Sequence, residues 1–267
     1  MRFASHFPRV KLTFLGTGTS SGVPQLGCQC AVCRSPDPRD RRSRVGAVVE
    51  SNRGTRLLID TPPELRLQLI AAGIDRIDAV LYTHDHADHI HGIDDIRPFT
   101  IRRGAQMPVY GPKPTLDEIV RRFRYIFDDV RPQPGTSKPE ASAHPVEAGK
   151  HFAVADLDIV PVKVPHGKID VFGYRIGPLA YVTDAKSLPE EAVQILRGAK
   201  VLVINALFRT EHPTHLSIPE AVSAAALIGA ERTYLTHLTH DNFHADLEAE
   251  LPRGITPAFD GLTVRID

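Results

Sequence analysis

The sequence has no tryptophan, two methionines and only three cysteines, and the few cysteines argue against a disulfide-stabilised secreted protein. The three cysteines all lie between residues 28 and 33, an odd and clustered set that makes a poor disulfide framework. No apolar run reaches the ~18 residues of a membrane span, so we expect no membrane partner. Residues 1–9 have no long apolar core, so we expect no secretory signal and a cytoplasmic protein.

An excess of charge of one sign is missing too. The chain balances 32 basic residues with 32 acidic ones, and its pI is about 7.2. A general nucleic-acid surface normally requires a basic excess, so the composition does not favour nucleic acid as a partner. The 267 residues are 42% hydrophobic and 24% charged, which is ordinary for a globular protein. We expect residues 1–267 to form one domain.

The densest chemical motif is Thr83–His89, which holds three histidines and two aspartates directly after the apolar run Ile77–Tyr82. That run predicts a buried strand, and loops after strands often carry function. His84 and His86 are two residues apart, so an extended backbone points both imidazoles to one side. We expect Asp88 to cap a short helix that begins beside His89.

These side chains are of the types that bind metal ions. Imidazoles with carboxylates suit Zn²⁺, Mn²⁺ or Fe, and four candidate ligands at this spacing are hard to explain as a solvated polar loop. Three more candidates follow later predicted strands, namely His166, Asp184 and His237. A histidine in such a place is usually a surface residue, but seven ligand-type residues together are enough to hold two metals.

Cys28, Cys30 and Cys33 form a Cys-x-Cys-x-x-Cys set inside a polar, proline-rich segment. Three thiolates this close can occupy three corners of a tetrahedron around Zn²⁺. Because no fourth cysteine exists, a distant histidine must complete the site. Residues at about 27–34 are therefore predicted to form a structural zinc loop.

The remaining chain alternates strands and helices in two halves, which fits a layered architecture. Predicted helices include Glu64–Ala72, Thr115–Phe127 with Thr115 as its cap, and Pro219–Ile228 opened by Ser217. Residues 128–145 lack an apolar period and are predicted to be a long loop. The glycine-rich stretch Gly16–Gly22 is by itself more typical of a flexible turn than of a phosphate cradle. In the basic segment that follows, Arg41, Arg42 or Arg44 contacts a phosphate or a partner subunit, or the segment is a solvated loop.

The motif His-x-His-x-Asp-His at residues 84–89 resembles the signature of the metallo-β-lactamase superfamily. The resemblance implies an α/β fold, an αββα sandwich with its metal site along one edge. In the superfamily pattern one ion is held by His84, His86 and His166, and the other by Asp88, His89 and His237. Asp184 would bridge both ions. A water shared by two metals loses its proton near neutral pH and becomes a nucleophile, and Asp88 counts among the catalytic residues as well as the ligands.

Further motifs resemble one subfamily, which contains the phosphoribosyl 1,2-cyclic phosphate phosphodiesterases of the carbon–phosphorus lyase pathway. They are Gly16-Thr-Gly-Thr-Ser, Gly22-x-Pro24, the thiolate set, and Thr236-His-Leu-Thr-His240. The resemblance implies hydrolysis of cyclic ribose or nucleotide phosphodiesters by two catalytic Mn²⁺ or Zn²⁺ ions in a homodimer. It implies His240 as the fourth ligand of the structural Zn²⁺. Residues 102–145 do not match this pattern, so they say little about the substrate pocket.

The segment 205–216 offers two histidines as a general acid, His212 and His215. His215 lies just before the predicted cap Ser217, and its His-Leu-Ser context resembles that of the catalytic histidine in the subfamily. The alternative is a solvent-facing residue at the start of a helix. We therefore expect His215 to protonate the leaving group, since histidine suits this task near neutral pH.

Three competing functions remain. The thiolate motif also resembles one in the pyrroloquinoline quinone biosynthesis B protein, an oxidative relative, although this chain keeps the full His-x-His-x-Asp-His pattern. The tRNA 3′-processing nucleases share the metal loop, but no tRNA-gripping insertion is evident. A binding protein with an inert metal site is the third, and turnover of a simple diester distinguishes it from an enzyme.

Overall fold

A computed structural model describes residues 9–267; the expectation about a secretory signal rests largely on residues 1–8, outside that range. Its first half contains two short 3-10 turns at Pro38–Asp40 and Ile93–Ile96. The strands and helices of this half are β1 Val10–Gly16, β2 Gly46–Ser51, β3 Arg56–Ile59, α1 Leu65–Ala71, β4 Ala79–Leu81, α2 Ala87–Ile90, α3 Arg97–Arg103, β5 Met107–Gly111, α4 Lys113–Arg122, α5 Arg124–Phe127 and β6 Ala141–Pro145.

The second half again alternates strands and helices, as the sequence predicts. Its elements are β7 Phe152–Val154, β8 Leu157–His166, β9 Ile169–Ile176, β10 Leu179–Val182, α6 Glu190–Leu196, β11 Val201–Asn205, α7 Ile218–Ile228, β12 Arg232–Thr236, α8 His244–Glu250, β13 Ile255–Pro257 and β14 Thr263–Ile266. Ser217 caps α7 in a capping box with Glu220, which confirms the predicted start of that helix.

The strands form two seven-stranded sheets, in the orders β14-β1-β2-β3-β4-β5-β6 and β13-β12-β11-β10-β9-β8-β7. One apolar cluster lies between the two sheets. Each sheet has a further apolar cluster on its other face, where it packs against its outer helices. In β3, for example, Leu57 and Ile59 face the other sheet while Leu58 faces the helices. Because both faces of the central strands are buried, strands such as β4 and β10 are apolar along their whole length. The four-layer αββα sandwich is confirmed.

Neighbouring parallel strands bring the ligand-type residues to one edge. β3 and β4 are parallel, and so are β10, β11 and β12, so the carboxyl ends within each group lie side by side. The residues that follow these strands include Asp60, His84, Asp184 and His237. Open α/β sheets place their binding sites at such strand ends.

Three predicted boundaries are wrong. The cap of α2 is His86 rather than Asp88, which lies in the first turn of the helix. The helix predicted at Thr115–Phe127 begins at Lys113, and Phe123 leaves the helical conformation and divides it into α4 and α5. Thr115 is buried inside α4 and is not its cap.

The predicted loop at 128–145 ends in a strand, β6. This strand pairs with β5 in parallel, from Met107 opposite Ala141 to Gly111 opposite Pro145. It is the outermost strand of its sheet and mostly exposed, so its side chains show no apolar alternation to be read from sequence. No described helix is long and apolar enough to cross a membrane.

Candidate metal centre and active site

The seven predicted catalytic ligands lie together at one edge of the sandwich. Four come from the loop and first turn after β4, and the others come from the ends of β8, β10 and β12. Among these seven residues, potential ligand atoms that lie within 4.8 Å of one another form three groups, and a fourth group joins His166 and Asp184 to His215. The groups are His84 with His86 and His166; Asp88 with His89 and His237; and His84 with His89 and Asp184.

Asp184 lies at the centre of this arrangement and is buried. Its Oδ2 is 3.8 Å from Nε2 of His84 and 3.4 Å from Nε2 of His237, and its Oδ1 is 3.6 Å from Nε2 of His89. Thr183 donates a hydrogen bond of 2.5 Å to Oδ1. One carboxylate therefore reaches both outer groups of ligands.

The backbone is strained at the site. Asp60, Asp184 and His237 have φ values of +60°, +60° and +58°, a left-handed conformation that non-glycine residues rarely adopt. Asp60 and His237 directly follow β3 and β12, and Asp184 lies two residues beyond the end of β10. Such strain persists where the surrounding structure imposes it, and it concentrates at functional sites.

Asp60 was not predicted from the sequence as a site residue, yet it orients two of the ligands, His89 directly and His84 through Thr83. Its Oδ2 accepts a 2.7 Å hydrogen bond from Nδ1 of His89 and a 2.8 Å bond from the hydroxyl of Thr83. That hydroxyl lies 2.9 Å from Nδ1 of His84, which can donate to it. Both imidazoles are thereby held with Nε2 facing the site. The signal in the sequence was an aspartate at the end of β3, beside the strand that leads into the metal loop.

The inward-facing nitrogens fit a metal as partner. Among the described residues, Nε2 of His84, His89 and His237 are buried without a hydrogen-bond partner. Buried polar atoms are nearly always paired, so unpaired nitrogens converging on a carboxylate need an explanation. A divalent cation supplies it, since imidazole and carboxylate are its usual ligands.

Burial and charge prepare these groups for that role. Burial lowers the pKa of His84 and His166, and it lowers the pKa of His237 to about 4, so all three favour the neutral form that binds metal. Burial opposes the charge of Asp184, but His237 and His89 outweigh it and hold the pKa of that carboxyl well below its ordinary value. His89 is the exception: Asp184 and Asp60 outweigh its burial and raise its pKa.

His215 lies beside the ligand cluster. Its Nε2 is 3.2 Å from Oδ2 of Asp184, and its ring stacks on that of His237 at 4.9 Å. The other candidate acid, His212, contacts the side of His215 that faces away from the ligand cluster, with its Nδ1 3.4 Å from Nδ1 of His215. Of the two histidines, His215 is the one that faces the cluster.

The three cysteines converge on His240 at a second cluster. Its Nδ1 is 3.3, 3.5 and 3.4 Å from the sulfurs of Cys28, Cys30 and Cys33. A tetrahedral Zn²⁺ with ordinary bond lengths places its nitrogen and sulfur ligands about 3.5 Å apart, so the four side chains fit that ion. A hydrogen bond from the backbone N–H of Cys33 lowers the pKa of Cys30 to about 6, whereas burial raises that of Cys33 to about 11.

The segment 236–240 connects the two clusters, because His237 belongs to one and His240 to the other. We expect Cys30→Ala to lose one equivalent of zinc and to lower both the unfolding free energy and the activity. The unfolding free energy should fall by about 3 kcal/mol or more, because loss of a bound metal is among the most destabilising effects of a single substitution. Zinc analysis, chemical denaturation and turnover of a diester measure the three effects.

Leu26→Ala is the matched control, because Leu26 lies in the same loop with its side chain 95% exposed. It should change none of the three quantities. A Cys30→Ala protein with full stability and full activity contradicts a structural role for the cluster.

The arginine segment is not a solvated loop throughout. Arg42 is 1% exposed, and its guanidinium donates to the carbonyl oxygens of Thr239 and Asn242, at 2.5 and 3.0 Å, beside the carboxylate of Asp40. It therefore braces the chain around His240 and cannot reach a phosphate or a partner subunit. Sequence could not reveal this, because the acceptors lie almost 200 residues away.

The neighbouring candidates for phosphate binding remain accessible. Arg41 is exposed. Arg44 is partly exposed, pairs with Glu64 and donates to the carbonyl oxygen of Ser20 at 3.0 Å. Its bond to Ser20 ties the basic segment to the glycine-rich loop.

Comparison with known proteins gives three kinds of match. A family model described as "Beta-lactamase superfamily domain" matches residues 55–238. A solved structure described as a new diphosphatase from the PhnP family is 41% identical, with a TM-score of 0.89 over 97% of both chains. A ribonuclease Z from Bradyrhizobium sp. (strain ORS 278) is 28% identical and covers 85% of this chain and 96% of its own length.

One further relative differs in length. An octanoyltransferase from Porphyromonas gingivalis is 40% identical over 97% of this chain, but the match covers only 52% of that protein. The chain therefore spans about half the length of this relative. The name octanoyltransferase belongs to the whole of that longer protein, and nearly half of its sequence lies outside the match.

Proposed function

The chain belongs to the β-lactamase superfamily, and on that premise we propose that it is a dinuclear metal-dependent phosphodiesterase acting on small cyclic phosphodiesters of a ribose or nucleotide. The single observation that carries this proposal is the position of Asp184. Its carboxylate lies within 3.8 Å of imidazole nitrogens from both outer ligand groups, as a carboxylate shared by two ions must. Residues 1–267 are proposed to form one metallo-hydrolase domain.

The proposed ligands follow the groups observed in the site. One ion would be held by His84, His86 and His166, the other by Asp88, His89 and His237, and both by Asp184. Two divalent ions there, Mn²⁺ or Zn²⁺, would supply a water with a lowered pKa and neutralise the charge of a phosphate. Cys28, Cys30, Cys33 and His240 are proposed to hold one structural Zn²⁺.

The chain's own residues orient the ligands and move the proton. Asp60 and Thr83 fix the imidazoles of His89 and His84, and the carbonyl oxygen of Thr214 accepts a 2.9 Å hydrogen bond from Nδ1 of His166. His215 is the proposed general acid, with Nε2 directed at the cluster where the leaving oxygen departs.

A phosphoanhydride is the second candidate substrate. The observation that favours it is the 41% identical structure described as a diphosphatase, which matches 97% of both chains. The same two ions can neutralise a diphosphate, and hydrolysis expels a phosphate in place of an alkoxide. Arg44, with Thr19 and Ser20 of the glycine-rich loop, is the proposed contact for a second phosphate.

The proposed assembly is a homodimer.

A substrate panel tests the proposal. Purified protein loaded with Mn²⁺ or Zn²⁺ should hydrolyse bis-p-nitrophenyl phosphate. It should also hydrolyse ribose 1,2-cyclic or nucleoside 2′,3′-cyclic phosphates faster than it hydrolyses linear dinucleotides. Preferred cleavage of a nucleoside diphosphate would select the second candidate. Rapid turnover of thioesters or lactones without any diester or diphosphate hydrolysis would refute both.

A further inference from the structure

Thr214 contacts three histidines at the edge of the candidate site. Its carbonyl oxygen accepts from His166, and its hydroxyl lies 2.8 Å from Nδ1 of His215 and 3.2 Å from Nδ1 of His212. Its methyl group abuts Gly167, where an added Cβ would lie 2.7 Å from Cγ2 of Thr214. The position of this side chain is therefore closely fixed.

The distances in this cluster restrict where its hydrogen atoms can lie. The Nδ1 atoms of His212 and His215 are 3.4 Å apart, so two N–H groups cannot face each other there. The backbone N–H of Thr214 donates to Nδ1 of His212 at 3.3 Å, which makes that nitrogen the acceptor. A hydrogen on Nδ1 of His215, with the hydroxyl of Thr214 as its acceptor, gives each of these groups a partner, whereas a hydrogen on Nε2 would be donated to the carboxylate of Asp184 instead.

The threonine hydroxyl can meet both neighbours at once, because it has one hydrogen and two lone pairs. It accepts from Nδ1–H of His215 and donates its own hydrogen to Nδ1 of His212. Burial is the main cause of a lowered pKa at His212, with His215 and Lys186 adding to it, and this favours the neutral ring that accepts hydrogen.

We propose that Thr214 and His212 are positioning residues that select the tautomer of His215 and reserve its Nε2 for proton transfer to the substrate. The inference rests on the proposed function and deepens it. Nε2 is the nitrogen that faces the ligand cluster, 3.2 Å from Asp184. Without the hydroxyl acceptor, neutral His215 would be free to carry its hydrogen on Nε2, the form that cannot take up a further proton there.

The proton step balances simply. In this step His215 starts with hydrogen on both nitrogens. A water that has lost one proton to solvent forms a bond to phosphorus through its oxygen, and the bond between phosphorus and the leaving oxygen breaks as Nε2–H is transferred to that leaving oxygen. The product is an alcohol, and His215 becomes neutral with its remaining hydrogen on Nδ1, donated to Thr214. Water returns a proton to Nε2 before the next turnover.

Thr214→Val and Thr214→Ser test this assignment as a matched pair. Valine keeps the shape, the methyl contact and the backbone carbonyl that holds His166, but it lacks the hydroxyl. Serine keeps the hydroxyl and lacks the methyl. For Thr214→Val we expect kcat on a diester with a poor alkoxide leaving group to fall roughly 10–100-fold, part of the ~10²–10⁴-fold that a general acid supplies. On a p-nitrophenolate ester the loss should be within about threefold, and Thr214→Ser should resemble the wild type on both.

Imidazole ¹⁵N chemical shifts give a readout independent of turnover, with the His215 signals assigned from His215→Ala. The wild type and Thr214→Ser should show neutral His215 with hydrogen on Nδ1, and Thr214→Val a mixture of tautomers with unchanged metal content. An unchanged tautomer in Thr214→Val, or equal losses on both esters, overturns the inference. If the wild type cleaves no diester, the proposed function fails, whereas the shifts still decide the tautomer.

Discussion

Asp184→Asn is expected to leave the protein folded but unable to hold the two catalytic ions that we propose for it. The amide has nearly the same shape as the carboxylate but no charge, and it offers one oxygen where two are needed. We expect bound catalytic metal to fall from two ions to one or none, while the zinc at the thiolate cluster stays. Activity on bis-p-nitrophenyl phosphate should fall on the order of 10³-fold or more, since the ions supply several kcal/mol of transition-state stabilisation.

Metal analysis and steady-state kinetics on the same preparations measure this result. Asp158→Asn is the matched control, because that aspartate is 65% exposed and its ion pair is with His151 at the surface. It should change neither metal content nor rate. Two tightly bound ions in Asp184→Asn, or a metal-loaded crystal structure with Asp184 turned away from both ions, would refute the bridging role.

His215→Ala is expected to separate leaving-group protonation from metal binding. Hydroxide attack on a diester expels an alkoxide, a poor leaving group unless it is protonated. We therefore expect a loss of ~10²–10⁴-fold on an alkyl diester and a much smaller loss on p-nitrophenyl esters, whose leaving group needs no proton. Metal content should stay at the wild-type value.

The comparison requires both substrates and a metal measurement on each variant. His151→Ala serves as the control, since His151 is 69% exposed and makes its ion pair with Asp158. Equal losses of His215→Ala on both substrates, or a loss of bound metal, would show that His215 acts as a ligand or a scaffold. Its position within ligand distance of His166 and Asp184 makes that outcome a real test.

The sequence by itself determined most of the candidate ligands in both clusters. Four catalytic candidates fall between residues 84 and 89, and the three cysteines fall within another six-residue stretch, so local geometry alone keeps each set together. His166, Asp184 and His237 were identifiable because each follows or ends an apolar strand, and the carboxyl ends of parallel strands meet at one edge. His240 was placed by family resemblance, and the structure brings it within 3.5 Å of all three sulfurs.

The tertiary structure decided what surrounds and orients these groups. Asp60 supports His89 from another strand, Thr214 reaches His166 from 48 residues away, and Arg42 is buried against carbonyl groups almost 200 residues later. Such hydrogen bonds join backbone and side-chain atoms whose partners have no fixed spacing along the chain, so no sequence pattern records them. The edge strand β6 was missed for a related reason: pairing with β5 holds it, and its exposed side chains show no apolar period. Ligand candidates that depend on residue type and short spacing can be predicted from the sequence. The orientation, burial and hydrogen-bond partners of those side chains are set only when distant segments of the chain pack together.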